Sequence, residues 1–523
     1  MSRSWLFAFA SLSVSLIAAA ASAQTRSWDA VANGLWNTPA SWSPADVPDT
    51  AAESATFDLF GTYTVTLDGS TGPVAINHLN VVRGGVTLRP NGLADATISA
   101  VGNVSLAGDV TLAEIVGTHL HLQAQGALSV VAGTQVDVEG GSLAASSTTI
   151  AGGTATDSTV VVLDDGATGD FGSLVIAPSG SLISRAGLDL YDGSSATVHG
   201  LSIAAAAASG VGELNVKGST LTQPAASTTT VGAVNSVTDA RGALTVSTGG
   251  VMQLGSVVVN PTGLLINDRS SLSVAGPSFT VHGGKYVESG AAMRNFTAAT
   301  NLRIEAGGEM SLAGAPLTIP AHQTVTVLDG VLRSSGGISI EGGALAIGAG
   351  ASVIGDVSWE SEARLVVDFD SGEEVAALYV NGVASLGGTL DFESLGSMAI
   401  DLEEGVSLPL LTASSLIGEF DALMGPALAS GLDWSFEQTP TSLVATVIAA
   451  PLDGDYNDDG LVNAADYTVW RDSVAAGAPV GSHAEWAANY GATAAGAVVS
   501  VPEPGLSAVA VALLGGAVRR RLR

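Results

Sequence analysis

The chain has 523 residues, a formal net charge of −31, 65 glycines, no cysteine and only 13% charged residues. With 18 Lys+Arg against 49 Asp+Glu, it lacks the basic footprint that neutralises phosphates, which excludes a nucleic-acid binder. The missing cysteine excludes a disulfide scaffold, thiolate metal sites and a cysteine nucleophile, and 46% hydrophobic residues is too many for long disorder.

Arg3 precedes an almost wholly apolar run from Trp5 to Ala20, followed by Ala21-Ser22-Ala23 and Gln24. A positive start, a short apolar stretch and an A-x-A site predict a secretory signal peptide over residues 1–23, cleaved before Gln24. Residues 24–95 then hold Trp28, Trp36 and Trp42 with Pro39, Pro44 and Pro48. The tryptophans read as core packing rather than as a sugar-stacking platform, because large aromatics contribute most when buried. The phrase Gly34-Leu35-Trp36-Asn37 with Ser41-Trp42 resembles the start of autotransporter-like β-helix proteins, which implies that residues 24–95 begin or cap a rod.

From about residue 60 to 450 the chain alternates with period two, as in Tyr63–Leu67, Leu128–Val130, Leu174–Ile176, Leu214–Val216, Leu244–Val246 and Leu272–Val274. Short alternating runs rich in Val and Thr, punctuated by glycine, predict β-strands. They leave no room for crossover helices, so an α/β fold is disfavoured. A G-x-L-x-V phrase recurs at Gly126, Gly212 and Gly242. Imperfect repeats of short strands predict an all-β chain whose residues 96–385 form a right-handed parallel β-helix or solenoid. At roughly 20 residues per coil and about 4.8 Å per rung, residues 100–400 would make a rod on the order of 70 Å. A string of β-sandwiches is the competing arrangement, but regular turn signals at a domain-sized period are lacking. Residues 386–450, from Gly387-Gly388-Thr389-Leu390-Asp391-Phe392 to Gly431-Leu432-Asp433-Trp434, resemble the closing region of the same β-helix proteins.

Residues 455–466 read Asp-Tyr-Asn-Asp-Asp-Gly-Leu-Val-Asn-Ala-Ala-Asp. Oxygen ligands fall at loop positions 1, 3, 5, 9 and 12, namely Asp455, Asn457, Asp459, Asn463 and Asp466. Gly460 makes the sharp turn at position 6, and Leu461 offers its carbonyl at position 7. This spacing wraps hard oxygen donors around one point and predicts one Ca²⁺ site. A helix is expected over 464–474 with Tyr467, Trp470 and Val474 on one face. Ser482-His483-Ala484-Glu485 is a capping box that opens a second helix carrying Trp486 and Tyr490 and ending at Gly491. Loop and exit helix make residues 451–495 resemble a type I dockerin, whose habit of Asp at position 12 Asp466 shares. The resemblance implies calcium and a cohesin-like surface partner. Loop positions 10 and 11, where known dockerins select the cohesin, are Ala464 and Ala465. Residues 473–482 carry no acid, so one calcium loop is expected where a full dockerin has two.

After a linker at 496–500, residues 501–523 contain Pro502-Glu503-Pro504, an apolar run from Gly505 to Val518 and a basic end, Arg519-Arg520-Arg521-Leu522-Arg523. The apolar run is shorter than the ~20 residues of a relaxed membrane span. The basic end favours the cytoplasmic side and leaves residues 24–500 outside. This tail resembles the PEP-CTERM sorting signal, which implies recognition by an exosortase, removal of the tail, and delivery to the cell surface or an exopolysaccharide matrix. The whole combination resembles surface proteins of planctomycete-type bacteria, with membrane contact left to the terminal segments.

Rods of this kind can host polysaccharide lyases, which need a basic Arg or Lys, and glycosidases, which need paired carboxylates. The only lysines are Lys217 and Lys285, each isolated. Asp368 and Asp370 share a strand face, and Asp164-Asp165 lies near Asp170. Paired carboxylates can hydrolyse glycosides, but acids mostly occupy solvated faces and turns, and these read so. His119 and His121 share a strand face with no third ligand suggested nearby. No catalytic residue is assigned. The sequence therefore predicts an exported, non-enzymatic surface or matrix protein. The alternative is a carbohydrate-active enzyme, a lyase or glycoside hydrolase, with an appended dockerin.

Overall fold

The computed structural model describes residues 24–493, apart from 31, 116, 132, 153–157, 178–183, 207–208, 236–238, 298, 369–376 and 394–401. The expected signal peptide, the linker, the C-terminal tail and Asp370 lie outside the described residues.

The chain is all-β up to residue 449 and winds as a parallel β-solenoid of about 13 turns. Through most of the body each strand pairs in parallel with the third strand after it, so each coil contributes one strand to each of three sheets. The first sheet runs through Arg185–Leu190, Ser209–Lys217, Asp239–Ser247, Gly263–Asp268 and Lys285–Ser289. The second runs through Ser195–Thr197, Thr220–Thr222, Val251–Leu254, Ser271–Val274 and Met293–Phe296. The third runs through Gly200–Ile203, Thr228–Val231, Ser256–Val259, Ser278–His282 and Asn301–Glu305.

Period-two alternation turns every second side chain inward, and parallel register stacks those side chains in columns. One column in the first sheet reads Leu214, Leu244, Leu265, Tyr286, Met310, Leu332, Val353 and Val380. Every member is buried, and each such burial contributes about 1.5–3 kcal/mol. All six period-two runs singled out in the sequence are strands. The G-x-L-x-V phrase divides, however. Gly212–Val216 and Gly242–Val246 stack in register on the first sheet, whereas Leu128–Val130 stacks on Thr148–Ile150, which leads into the third sheet.

The coils are uneven. Gly242 pairs with Gly263, only 21 residues on, while Ser209 pairs with Asp239, 30 residues on. Loops leave at the corners, so their length changes without disturbing the ladder. The corner between the first and second sheets is a tight turn with both central residues left-handed, as at Asp192 (φ 47°) and Gly193 (φ 80°). Aspartate and glycine tolerate that conformation best, which accounts for part of the Asp and Gly content.

Both ends of the ladder are covered. At the N-terminal end Trp28, Trp36 and Trp42 are each 2% exposed and pack at 5.0 Å between ring centres, with Phe57 beneath them. Arg26 Nη2 donates to Glu53 Oε1 at 2.7 Å and to Asp46 Oδ2 at 2.6 Å. At the other end the antiparallel pair Leu432–Gln438 and Ser442–Ala449 lies on Ser407–Gly418, and Trp434 packs on Phe392 at 4.7 Å.

Burial alone would raise the Glu53 carboxyl, but the bonds from Arg26, the Thr50 hydroxyl and the Asp49 N–H outweigh it and hold it below its ordinary value. A carboxylate depressed in the folded state stabilises above its unfolded pKa, and that contribution is lost as pH falls through the folded value. Hydrogen exchange in residues 24–57 is therefore expected to accelerate as pH falls below the ordinary glutamate range, after correction for intrinsic exchange. Glu53→Gln should open this cap at neutral pH by about 3 kcal/mol, the scale for breaking a buried ion pair, and flatten its pH dependence. Equal protection in both proteins at every pH would contradict this account.

Candidate metal centre

The solenoid ends at Ala449 and the chain enters a small helical unit. Helix α1 spans Ala464–Ala475 and helix α2 spans His483–Asn489. Both begin with capping boxes. Asn463 Oδ1 accepts the Ala465 N–H at 2.7 Å, and Asp466 Oδ2 accepts the Asn463 N–H at 2.8 Å. Ser482 and Glu485 exchange the equivalent pair at the start of α2. The helices meet through rings, Tyr467 to Trp486 at 5.0 Å and Trp470 to His483 at 5.1 Å. Val474, expected on the same face, is instead 46% exposed, since α2 is too short to reach it. Trp486 Nε1 donates to the Asn463 carbonyl at 2.7 Å, and Leu461 bridges antiparallel to Thr493, which closes the loop against the second helix.

Within the loop, Asp455, Asp459 and Asp466 each place a carboxylate oxygen within 4.8 Å of the others. Among the described residues this is the one such grouping of His, Cys, Asp or Glu. The backbone fixes it. Asp455 accepts from the N–H groups of Asp459 and Gly460 at 3.2 and 2.8 Å. Asp459 Oδ1 accepts from Leu461 N–H at 3.0 Å. Asp466, fully buried, accepts from Tyr456, Asn457 and Asn463. Gly460 turns the chain at φ 78°, a conformation a side chain would strain.

The other expected ligands are placed differently. Asn457 donates to Asp459 Oδ2 at 3.1 Å, and its own oxygen accepts the Asp459 N–H. The Asn463 oxygen caps α1, and its amide nitrogen reaches the Leu461 carbonyl at 3.3 Å. The chemistry of the grouping fits a hard cation, since three carboxylates converge with no nitrogen or sulfur donor among them.

Elsewhere the acids and bases weighed in the sequence are dispersed. Asp164 Oδ1 accepts the Asp165 N–H and Asp165 occupies a left-handed corner, so both serve a turn. Asp170 stacks beside Thr197 on the second sheet. Lys285 bonds Glu309, which also holds Arg333. The Lys217 ammonium lies over the Tyr191 ring at 5.8 Å.

Three groups escape sequence reading. Asp95 stands 3.5 Å from His119 and 3.9 Å from His121, and Glu114 stands 3.8 Å from His119. Asp95 lies 24 residues before His119, so a coil-length offset is the signal that would find it. Glu139 lies opposite Asp164; burial, then Asp137, Asp164, Asp165 and Glu114, push its carboxyl up. Inside the solenoid, Arg294 donates to Glu288 Oε2 at 2.6 Å, and the Tyr286 hydroxyl donates to Glu288 Oε1 at 2.7 Å.

No protein-family model matches the chain, and no curated protein matches it. Among the described residues, no helix is long and apolar enough to cross a membrane.

If the aspartate grouping takes calcium, calorimetric titration of the chain should show one site, abolished by Asp455→Ala. Terbium should emit when Trp486 or Tyr467 is excited, and calcium should displace it. No heat and no sensitised emission, or two equal sites, would reject the assignment.

Proposed function

We propose that this chain is an exported, non-enzymatic protein of the cell surface or extracellular matrix, with one calcium site at the end of its solenoid. The observation that carries the reading is the rod, a solenoid of about 13 turns that exposes long, regular faces and is covered at both ends. Such an object presents surface, and surface is what a scaffold or matrix component supplies.

The helical unit follows the last covering strand directly. A cation held by Asp455, Asp459 and Asp466 would neutralise the acids around the start of α1 and stiffen this end of the rod. Asn457, the Leu461 carbonyl and Asn463 are the further oxygen ligands that the loop spacing offers, and they would complete the shell once their present hydrogen bonds are exchanged. The terminal segments support export. Residues 1–23 carry the features of a cleaved leader, and the Pro-Glu-Pro tail those of a sorting signal read by exosortase-type machinery. The right-handed winding expected from sequence, a cohesin-like partner and an exopolysaccharide contact belong to the same reading.

The test is the fate of the chain in a producing cell. The mature N-terminus should be Gln24 by mass spectrometry, and the chain should fractionate with the envelope surface or matrix without residues beyond the Pro-Glu-Pro. Glu503→Ala should leave the tail attached and reduce the surface fraction. A chain beginning at Met1 and retained in the cytoplasm would overturn the proposal.

A further inference from the structure

Among the described residues, the ladder of the second sheet is broken between Met293–Phe296 and Leu317–Pro320. The first strand pairs backward with Ser271–Val274 and the second pairs forward with Ile338–Glu341, but no pairing joins them. The other two sheets run through the same turn intact. The break leaves a cleft of about 530 Å³ lined by both strands, within the usual range for ligand sites. A second cleft of about 320 Å³ shares Pro316 with it and continues over the same sheet.

The two walls are open main chain. Met293 N–H donates to Ser270 and Thr297 N–H to Val274, so alternation turns the N–H and C=O groups of Arg294 and Phe296 into the cleft. Leu317 N–H donates to Gly337, which turns Thr318 toward the cleft from the other wall. Pro316 and Pro320 share that phase and carry no N–H. A peptide strand inserted here would meet one wall nearly without donors, so the cleft is a poor place for strand addition.

The floor is electrically neutral. Arg294, with its side chain 8% exposed, is paired with the fully buried Glu288, and two further donors go to the carbonyls of Ala313 and Ala315. Beyond the cleft, a column of stacked hydroxyls continues through Thr318, Ser339, Ser358 and Ser385, one per rung.

We propose that this cleft binds a neutral, hydroxyl-rich polysaccharide chain along the second sheet. Mixed unpaired donors and acceptors suit hydroxyl groups, which are both. Pro316 and Pro320, which line the cleft, offer apolar surface to the C–H faces of sugars. An acidic polymer would be opposed by the −31 charge and by Asp356 in the second cleft. The proposal deepens the reading of the chain as a surface or matrix protein and rests on it.

The purified chain should be retarded in native gels cast with at least one of a neutral glucan, mannan or galactan. The retardation should persist at about 1 M salt, where charge attraction is screened within about 3 Å, and polygalacturonate should not reproduce it. Thr318→Glu and Asn295→Glu, both at outward positions, each set a charge where the sugar chain would strip its water, and should weaken it about tenfold or more with unchanged melting temperature. Retention by none of the neutral polymers, retention only by polygalacturonate and lost in salt, preferential capture of an extended peptide, or full retention of both variants would each overturn the proposal. A chain that reaches the surface but passes unretarded sinks the glycan site alone. A chain retarded in the gel but confined to the cytoplasm sinks the surface reading instead.

Discussion

The parallel ladder that lays each coil on the one before is the constraint on which the rest of the molecule depends. A single coil has three short strands and buries only a few side chains, far too few to offset the entropy of fixing it. Stacking supplies both missing terms at once. Each rung bonds the backbone of its neighbours, and each inward side chain lands on another, as Leu214, Leu244 and Leu265 do. Register is therefore strongly specified along the sheets, because a one-residue slip would turn a whole apolar column outward. At the corners the same constraint is weak, which is where coils of 21 and 30 residues are reconciled.

A ladder also creates edges, and unpaired edges invite association. The aromatic cluster around Trp42 and the Arg26–Glu53 pair cover one end; the antiparallel pair ending at Ala449 covers the other. The interior break at Met293–Phe296 is handled differently. Glu288 accepts the Ala313 N–H and Arg294 donates to the Ala313 and Ala315 carbonyls, so side chains satisfy backbone groups near a missing pairing. A buried ion pair is costly in isolation. Here it is tied into main chain and to Tyr286, and the prolines on the facing wall keep that edge from recruiting a strand.

Period two was legible along the chain because it follows from the strand itself, and so the strands at Leu214–Val216 and Leu272–Val274 could be named from sequence. Sheet assignment was not legible. Gly126 and Gly242 open similar phrases on different sheets, because the phrase encodes a strand and its entry, while the preceding corner decides the face. The convergence of Asp455, Asp459 and Asp466 was readable because it is local in sequence. The Asn463 oxygen suits both a metal and a helix cap, and the cap is made across only two residues, Asn463 to Ala465. Asp95 beside His119, and Arg294 on Glu288, depend on coil length and on inward register. The environment of Arg294 is set by its position in the column, not by its neighbours in sequence.

The low charge content follows from the same geometry, and it divides the faces. On the first sheet charges occur in bonded sets, Arg185 with Asp189 and Glu213, and Lys285 and Arg333 with Glu309. On the second sheet the outward column that starts at Asp170 runs on through Thr197, Thr222, Gln253, Ser273 and Asn295, uncharged after its first member. A face solvated by hydroxyls and amides can meet another surface without stripping water from ions, which is the largest penalty in polar association. Charges fixed in pairs on a different sheet keep the rod soluble without imposing that penalty where contact occurs. A chain that binds through its second sheet thus needs few charges there, and a solenoid lets it put them elsewhere.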